Sequence, residues 1–255
     1  MEAVIEVQGL TVRYGDNVVL ENLSLRVFKG EILVILGGSG SGKSVLLKHM
    51  IGLERPYAGN ILFYGVDIAN SEDARLDALH RKTGMLFQSS ALLGSMTIGE
   101  NVALPLTEFT DLPLSVIALI VKMKLGMVEL AGFDNHLPSE ISGGMKKRAG
   151  IARAMALDPE ILFLDEPSAG LDPITSAELD LLIKGINEGI GATMIIVTHE
   201  LESIFNIAHR VIMLDKSKKG IIAEGTPFEL KEHSADPKVR NFFNRLVRSE
   251  KNKGK

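Results

Sequence analysis

The 255-residue chain contains no cysteine, no tryptophan and only three tyrosines. Without cysteine there are no disulfides, zinc–thiolate sites or iron–sulfur clusters, and a reducing compartment is compatible with the sequence. Long apolar runs are also missing. The most apolar stretch, Leu112 to Val121, is interrupted by Pro113 and Ser115 and followed by Lys122 and Lys124, which falls short of the ~20 residues that a membrane-spanning helix needs. The start, Met1-Glu2-Ala3-Val4-Ile5-Glu6, has no basic segment ahead of an apolar block and does not read as a secretory signal. The chain is therefore expected to stay in the cytoplasm, with any membrane contact supplied by a partner. No sign of charge dominates: 28 Lys and Arg against 32 Asp and Glu leave a net charge of −4, which excludes a general attraction for nucleic acid. With 45% hydrophobic and 24% charged residues, 25 Gly and 9 Pro, the composition is that of a globular protein and not of a disordered or fibrous one.

The length suits one domain, or one domain with a subdomain. Apolar and polar positions alternate through Ile5, Val7, Leu10 and Val12, and again from Val18 to Val27, the period of half-buried strands and an antiparallel β start. Glu31-Ile32-Leu33-Val34-Ile35-Leu36 then runs almost wholly apolar into a Gly-rich turn and a helical pattern from about Lys43, the order of a buried parallel strand. From about residue 89 to 158 strand signals nearly vanish, and apolar residues recur at helical spacing in Glu100–Leu106, Leu114–Ala131 and Gly144–Leu157. A helical insertion is expected there. Strand character returns at Ile161–Leu164, Thr193–Val197 and Arg210–Leu214. Residues 231–255 carry eight basic and three acidic side chains, and by themselves read as a solvated, partly frayed extension. The expected architecture is α/β: a domain over residues 1–230 with an antiparallel β part, a parallel core and a helical subdomain at about 89–158, then a basic C-terminal extension.

Three segments carry chemistry. Gly37-Gly38-Ser39-Gly40-Ser41-Gly42-Lys43-Ser44 matches the P-loop pattern between an apolar strand and a helix start. The glycines let backbone N–H groups turn inward, and the helix adds the positive end of its dipole, which makes a seat for phosphate. Lys43 supplies a full charge for terminal phosphates and the Ser44 hydroxyl a magnesium ligand. In Ile161-Leu162-Phe163-Leu164-Asp165-Glu166-Pro167 four apolar residues lead into two carboxylates, at the carboxyl end of a buried strand, where ligands of open α/β sheets bind. Adjacent strand residues point to opposite faces, so Asp165 is free to support magnesium while Glu166 orients or deprotonates water. In Ile141-Ser142-Gly143-Gly144-Met145-Lys146-Lys147-Arg148, Ser142 is a plausible helix N-cap. Three basic residues in a first turn oppose the helix dipole and make this a candidate second anion seat, although by itself the segment is more often a solvated helix start.

Together, in this order, the segments resemble the ABC transporter ATPase family, over residues 4 to about 230. Gln88, after Met85-Leu86-Phe87, is similar to the family's Q-loop glutamine. Ser168-Ala169-Gly170-Leu171-Asp172 resembles its D-loop, His199 after Ile195-Ile196-Val197-Thr198 its switch histidine, and Tyr14 the aromatic that stacks on adenine. The resemblance implies ATP and Mg2+, with Glu166, His199 and Gln88 catalytic, Ser44, Gln88 and Asp165 at the metal, and Tyr14, Gly37 to Ser44, Ser142, Gly143, Gly144, Met145 and Asp172 at the nucleotide. It further implies a head-to-tail homodimer enclosing ATP between the P-loop of one copy and Ser142 to Met145 of the other. Integral-membrane permease subunits would dock through the region around Gln88 and Ser95–Val102, placing the chain at the cytoplasmic face of the inner membrane. One departure is informative: Met145 stands where most members carry Gln, and a thioether cannot donate an amide's hydrogen bonds. With Asp172-Pro173-Ile174-Thr175, residues 91–106 and the tail around Val239–Phe243, it resembles the Mla and Mce-associated ATPases of phospholipid transport, which implies an Mce-domain lipid-binding partner. A polar-solute importer ATPase shares every catalytic motif and stays open, as does a non-transport ABC ATPase, though the absence of long heptads and the overall acidity weigh against the latter.

Overall fold

The computed structural model describes residues 2–68, 71 and 73–245. The chain opens with strands β1 (Ala3–Tyr14) and β2 (Asn17–Phe28), then β3 (Ile32–Gly37), helix α1 (Lys43–Ile51), β4 (Ala58–Phe63), β5 (Val66–Asp67), α2 (Asp73–His80) and β6 (Thr83–Leu86). Next come α3 (Ile98–Phe109), α4 (Leu114–Met127), a single 3-10 turn at Pro138–Glu140 and α5 (Gly143–Ala154). The remainder is β7 (Ile161–Asp165), α6 (Pro173–Ile190), β8 (Thr193–Val197), α7 (Leu201–Ile207), β9 (Arg210–Asp215), β10 (Gly220–Gly225), α8 (Pro227–His233) and α9 (Pro237–Phe243). Among the described residues no helix is long and apolar enough to cross a membrane.

Among the described residues ten strands form two sheets. A four-stranded antiparallel sheet has the order β2-β1-β4-β5, and a six-stranded one the order β10-β9-β3-β8-β7-β6. In the latter only the β10–β9 pair is antiparallel. The continuous apolar runs of β3, β7 and β8 follow from burial on both faces. Ile32, Val34 and Leu36 enter the core shared with α3 to α9, while Leu33 and Ile35 enter the core shared with α1 and the antiparallel sheet. β8 divides in the same way, Met194 and Ile196 against Ile195 and Val197. Expected strands fall where the patterns put them, and β6 ends at Leu86, with Phe87 exposed outside it.

Residues 89–158 contain α3, α4, the 3-10 turn and α5 but no strand. α3 begins in a capping box, with the Thr97 N–H bonded to Glu100 Oε2 at 2.7 Å and the Glu100 N–H to Thr97 Oγ1 at 3.2 Å. Behind it the fully buried Asn101 amide donates to the carbonyls of Leu93, Met96 and Thr97 at 3.1, 3.2 and 2.9 Å, and its oxygen accepts from the Leu93 N–H at 2.7 Å. The C-terminal extension differs from a frayed tail in its first half. Val239 and Phe243 are buried in the same core as the sheet, and Lys238 pairs with Asp215 at 2.6 Å, holding that carboxyl down to about 2. The basic residues Arg248, Lys251, Lys253 and Lys255 lie outside the described residues.

α5 packs on β6 with no room to spare. A Cβ at Gly84 would sit 2.1 Å from the Ala154 carbonyl oxygen and 2.8 Å from Leu162 Cδ2. Gly84→Ala is expected to cost about 1–3 kcal/mol through overpacking and to lower Tm by roughly 4–10 °C in a thermal melt. An unchanged Tm would contradict the tightness of this contact.

Candidate active site

The sheet order decides which loops meet. β3, β8, β7 and β6 are parallel neighbours, so the segments after them leave from one edge. These segments are Gly38–Gly42, Thr198–His199, Glu166–Asp172 and Phe87–Gln88. Four of the motifs identified in sequence are thereby gathered at the carboxyl ends of the strands, where ligands of open α/β sheets bind.

The loop Gly37–Ser44 is shaped by its glycines. Gly37 has φ +151° and Gly42 φ +97°, and a Cβ would meet Ser41 Oγ at 2.3 Å in the first case and Leu20 Cδ2 at 2.8 Å in the second. The Ser41 N–H closes the turn onto the Gly38 carbonyl at 3.1 Å. The Lys43 ammonium lies across the loop, donating to the carbonyls of Gly37 at 2.9 Å and Gly38 at 3.4 Å. Gly42 caps α1, which has no acidic residue in its first turn. Ser44, in that turn, is exposed. Loop amides, helix dipole and ammonium all favour an anion here.

Asp165 is the last residue of β7, and its carboxyl is held above the usual range by burial and by the neighbouring Glu166, with Lys43 and Lys147 acting against the rise. Glu166 is not a strand residue. It sits in the left-handed region at φ +49°, so a turn of the backbone and not strand alternation sets where its side chain leaves, which corrects the expected geometry. Its N–H donates to the Val197 carbonyl at 2.8 Å, fixing it to the end of β8. His199 Nδ1 lies 3.0 Å from Glu166 Oε1 in hydrogen-bond geometry and 2.9 Å from Oε2, while Oε2 is buried without a hydrogen-bond partner. A buried carboxylate oxygen that touches the exposed imidazole without hydrogen-bond geometry suits a water or a cation.

Tyr14 is exposed at the end of β1, and its hydroxyl donates to the Glu54 carboxylate. That bond, with Lys48 3.4 Å from the same carboxylate, holds the Glu54 pKa below its usual value. Gln88 exposes its side chain.

Ser142 caps α5, its hydroxyl accepting from the Met145 N–H at 3.2 Å. Gly143 opens the helix in an exposed position, and Gly144 packs against Thr175 closely enough that a Cβ would lie 2.6 Å from Cγ2. The Met145 thioether packs on the core. Asp172 caps α6 instead of standing free: Oδ1 accepts from the N–H groups of Ile174 and Thr175 at 3.1 Å each, and Oδ2 from the Thr175 hydroxyl at 2.6 Å, which lowers its pKa.

The three basic residues after Met145 do not all face an anion. Lys147 and Arg148 are buried. Lys147 donates to the carbonyls of Gln88 at 2.6 Å and Glu166 at 2.9 Å, and burial lowers its pKa against the opposing pull of Glu166 and Asp165. Arg148 pairs with Glu129 and, at 3.5 Å, with Glu178. Sequence reasoning missed these inward positions, and also Arg153, which donates to the carbonyls of Ala91 at 2.7 Å and Ser90 at 2.8 Å. The signal was available: 144, 147, 148, 151 and 155 share one helical face, and Gly144, Ile151 and Met155 on it are buried.

Residues 20–169 match the family described as ABC transporter. The chain is 44% identical to the "Intermembrane phospholipid transport system ATP-binding protein MlaF" of Haemophilus influenzae, over 94% of this chain and 90% of that protein. It is 45% identical to the "Probable ribonucleotide transport ATP-binding protein mkl" of Mycobacterium leprae, over 96% of this chain and 70% of that protein. Among solved structures, the dimeric post-hydrolysis state of the ATP-binding cassette MJ0796 bound to ADP and Pi is similar with a TM-score of 0.78 and 31% identity, over 87% of this chain and 98% of that chain. On this sequence and geometry the chain belongs to the ABC transporter family and has the fold of its ATP-binding cassette.

Proposed function

We propose that the chain hydrolyses ATP to ADP and phosphate as the cytoplasmic-face subunit of an inner-membrane transporter that moves phospholipid between inner and outer membranes. The observation that carries the chemistry is Glu166, with a buried oxygen that makes no hydrogen bond, beside His199, which follows the strand next to the P-loop strand. The lipid class is supported by the likeness to MlaF over nearly all of both chains.

In this reading the loop amides, the α1 dipole and Lys43 bind the phosphates, and Tyr14, steadied by Glu54, stacks on the adenine. Glu166 Oε2 accepts a hydrogen bond from the attacking water and draws off its proton, while Oε1 is held by His199. Ser44, Asp165 and Gln88 offer a hydroxyl, a carboxylate and an amide, the hard oxygen donors that suit Mg2+. When bound, magnesium would neutralise charge at the phosphates. A second copy would set Ser142, Gly143, Gly144 and Met145 against the nucleotide, with Asp172 nearby. The dimeric, ADP- and Pi-bound relative supports that assembly. Because Ser142 and the Gly144 N–H can meet phosphate without the side chain at 145, Met145 is compatible with it. The exposed Phe87 and Leu93 are suited to receive permease subunits, and an Mce-domain protein would carry the lipid.

A second reading, a polar-solute importer, draws on the printed name of the mycobacterial relative. Gentle purification from native membranes followed by mass spectrometry separates the two. Recovery with a multi-spanning permease and an Mce-domain protein is expected. Recovery with a solute permease and its binding protein would favour the second reading, and recovery without any membrane protein would overturn both.

A further inference from the structure

Lys147 has no part in the chemistry above, yet it touches two of the groups that perform it. Its side chain is long enough to carry the ammonium to solvent, and taking a charge out of water is unfavourable unless it is fully engaged. It nevertheless lies buried, only 6% exposed, and donates to the Gln88 carbonyl and the Glu166 carbonyl. Those carbonyls belong to the loops that follow the adjacent strands β6 and β7, while Lys147 itself stands in the first turns of α5, whose N-terminus is capped by Ser142. Glu166 holds a left-handed backbone that a non-glycine residue adopts only under constraint. Hydrogen bonds supply the constraint: its N–H is tied to Val197, and its carbonyl accepts from both Lys147 and the Ala169 N–H, the latter at 3.2 Å.

We propose that Lys147 is a positioning residue that clamps the Glu166 turn and the Gln88 loop to the mouth of α5, so that carboxylate and amide keep their relative places only while α5 is seated against them. The inference rests on Glu166 acting on the attacking water. Lys43 and the Gly37–Ser44 loop lie outside these contacts, so nucleotide affinity should not depend on the clamp.

The test uses the full chain in Lys147→Met, Lys147→Arg and Arg153→Met forms, with Glu166→Gln measured in parallel. Lys147→Met is expected to lower kcat by about 10- to 100-fold, the scale of a misplacement on the order of 1 Å, while KM and the Kd for ATP stay within about twofold. Amide hydrogen exchange should rise in both 87–91 and 166–169. Lys147→Arg, whose fork can reach two carbonyls, should restore most of kcat. Arg153→Met should loosen 87–91 alone. Lys147→Met with unchanged kcat, or a loss of kcat that Lys147→Arg does not restore, would overturn the proposal. If Lys147→Met does not fold, Lys147→Gln takes its place and full activity there has the same meaning. Turnover retained in Glu166→Gln would remove the catalytic reading instead, and the exchange at 166–169 would still decide whether the clamp exists.

Discussion

Glu166→Gln is expected to lower steady-state ATP turnover by about 10²- to 10³-fold, within the range general-base groups contribute, while the Kd for ATP shifts by no more than about threefold. The carboxamide keeps the shape and the left-handed backbone of Glu166 but cannot take a proton from water. None of the phosphate-binding groups is altered, because Glu166 stands after β7 and the P-loop after β3. Loss of fold would not explain the result. Asp165 is held above its usual pKa by burial and by Glu166, so the folded protein keeps that proton to higher pH than the unfolded chain does. Stability therefore declines as pH rises through the window between the two values. Removing the Glu166 charge lessens that decline, so Tm above the window should rise. Near-wild-type turnover in a coupled phosphate-release assay would take Glu166 out of its role.

Lys43→Ala should act on binding as well as turnover. The ammonium bridges the carbonyls of Gly37 and Gly38, at the mouth of a loop that supplies N–H donors but no other full charge. Its removal deletes the charge-assisted contacts to terminal phosphates, each about twice as strong as a neutral hydrogen bond. ATP affinity is expected to fall at least about tenfold and turnover by more than about 100-fold. Thermal shift provides the measurement: saturating ATP at 100 times Kd stabilises a protein by about 2.7 kcal/mol, and Lys43→Ala should lose at least about half of that stabilisation at the same ATP concentration. An undiminished shift would contradict the assigned phosphate seat.

Much of this was legible in the chain. Runs such as Ile32–Leu36 and Ile161–Leu164 are apolar at every position because both faces of the parallel sheet are covered, and each ends in the chemistry it presents. What stayed hidden had weaker local signals. β4 and β5 are short, and β5 is only two residues long. The run Lys146-Lys147-Arg148 looked like one basic patch because charge says nothing of direction. Helical phase turns Lys147 and Arg148 inward and leaves Lys146 partly exposed. Strand pleating predicts opposite directions for Asp165 and Glu166, whereas β7 ends at Asp165 and Glu166 has a positive φ, and no side-chain pattern marks a non-glycine residue for that conformation. In the tail, the Val239 and Phe243 spacing of four residues was outweighed by the basic composition, although both side chains are buried.

The segment wound around the Asn101 amide has a mechanical meaning. Its backbone groups at Leu93, Met96 and Thr97 are bound to one buried side chain at the root of α3, so the loop has little slack with which to absorb a displacement. A load applied at the exposed Leu93 would pass into α3 as motion of a rigid body instead of being dissipated as loop deformation. Residues 93–101 thus behave as a stiff strut between the surface and the helical layer.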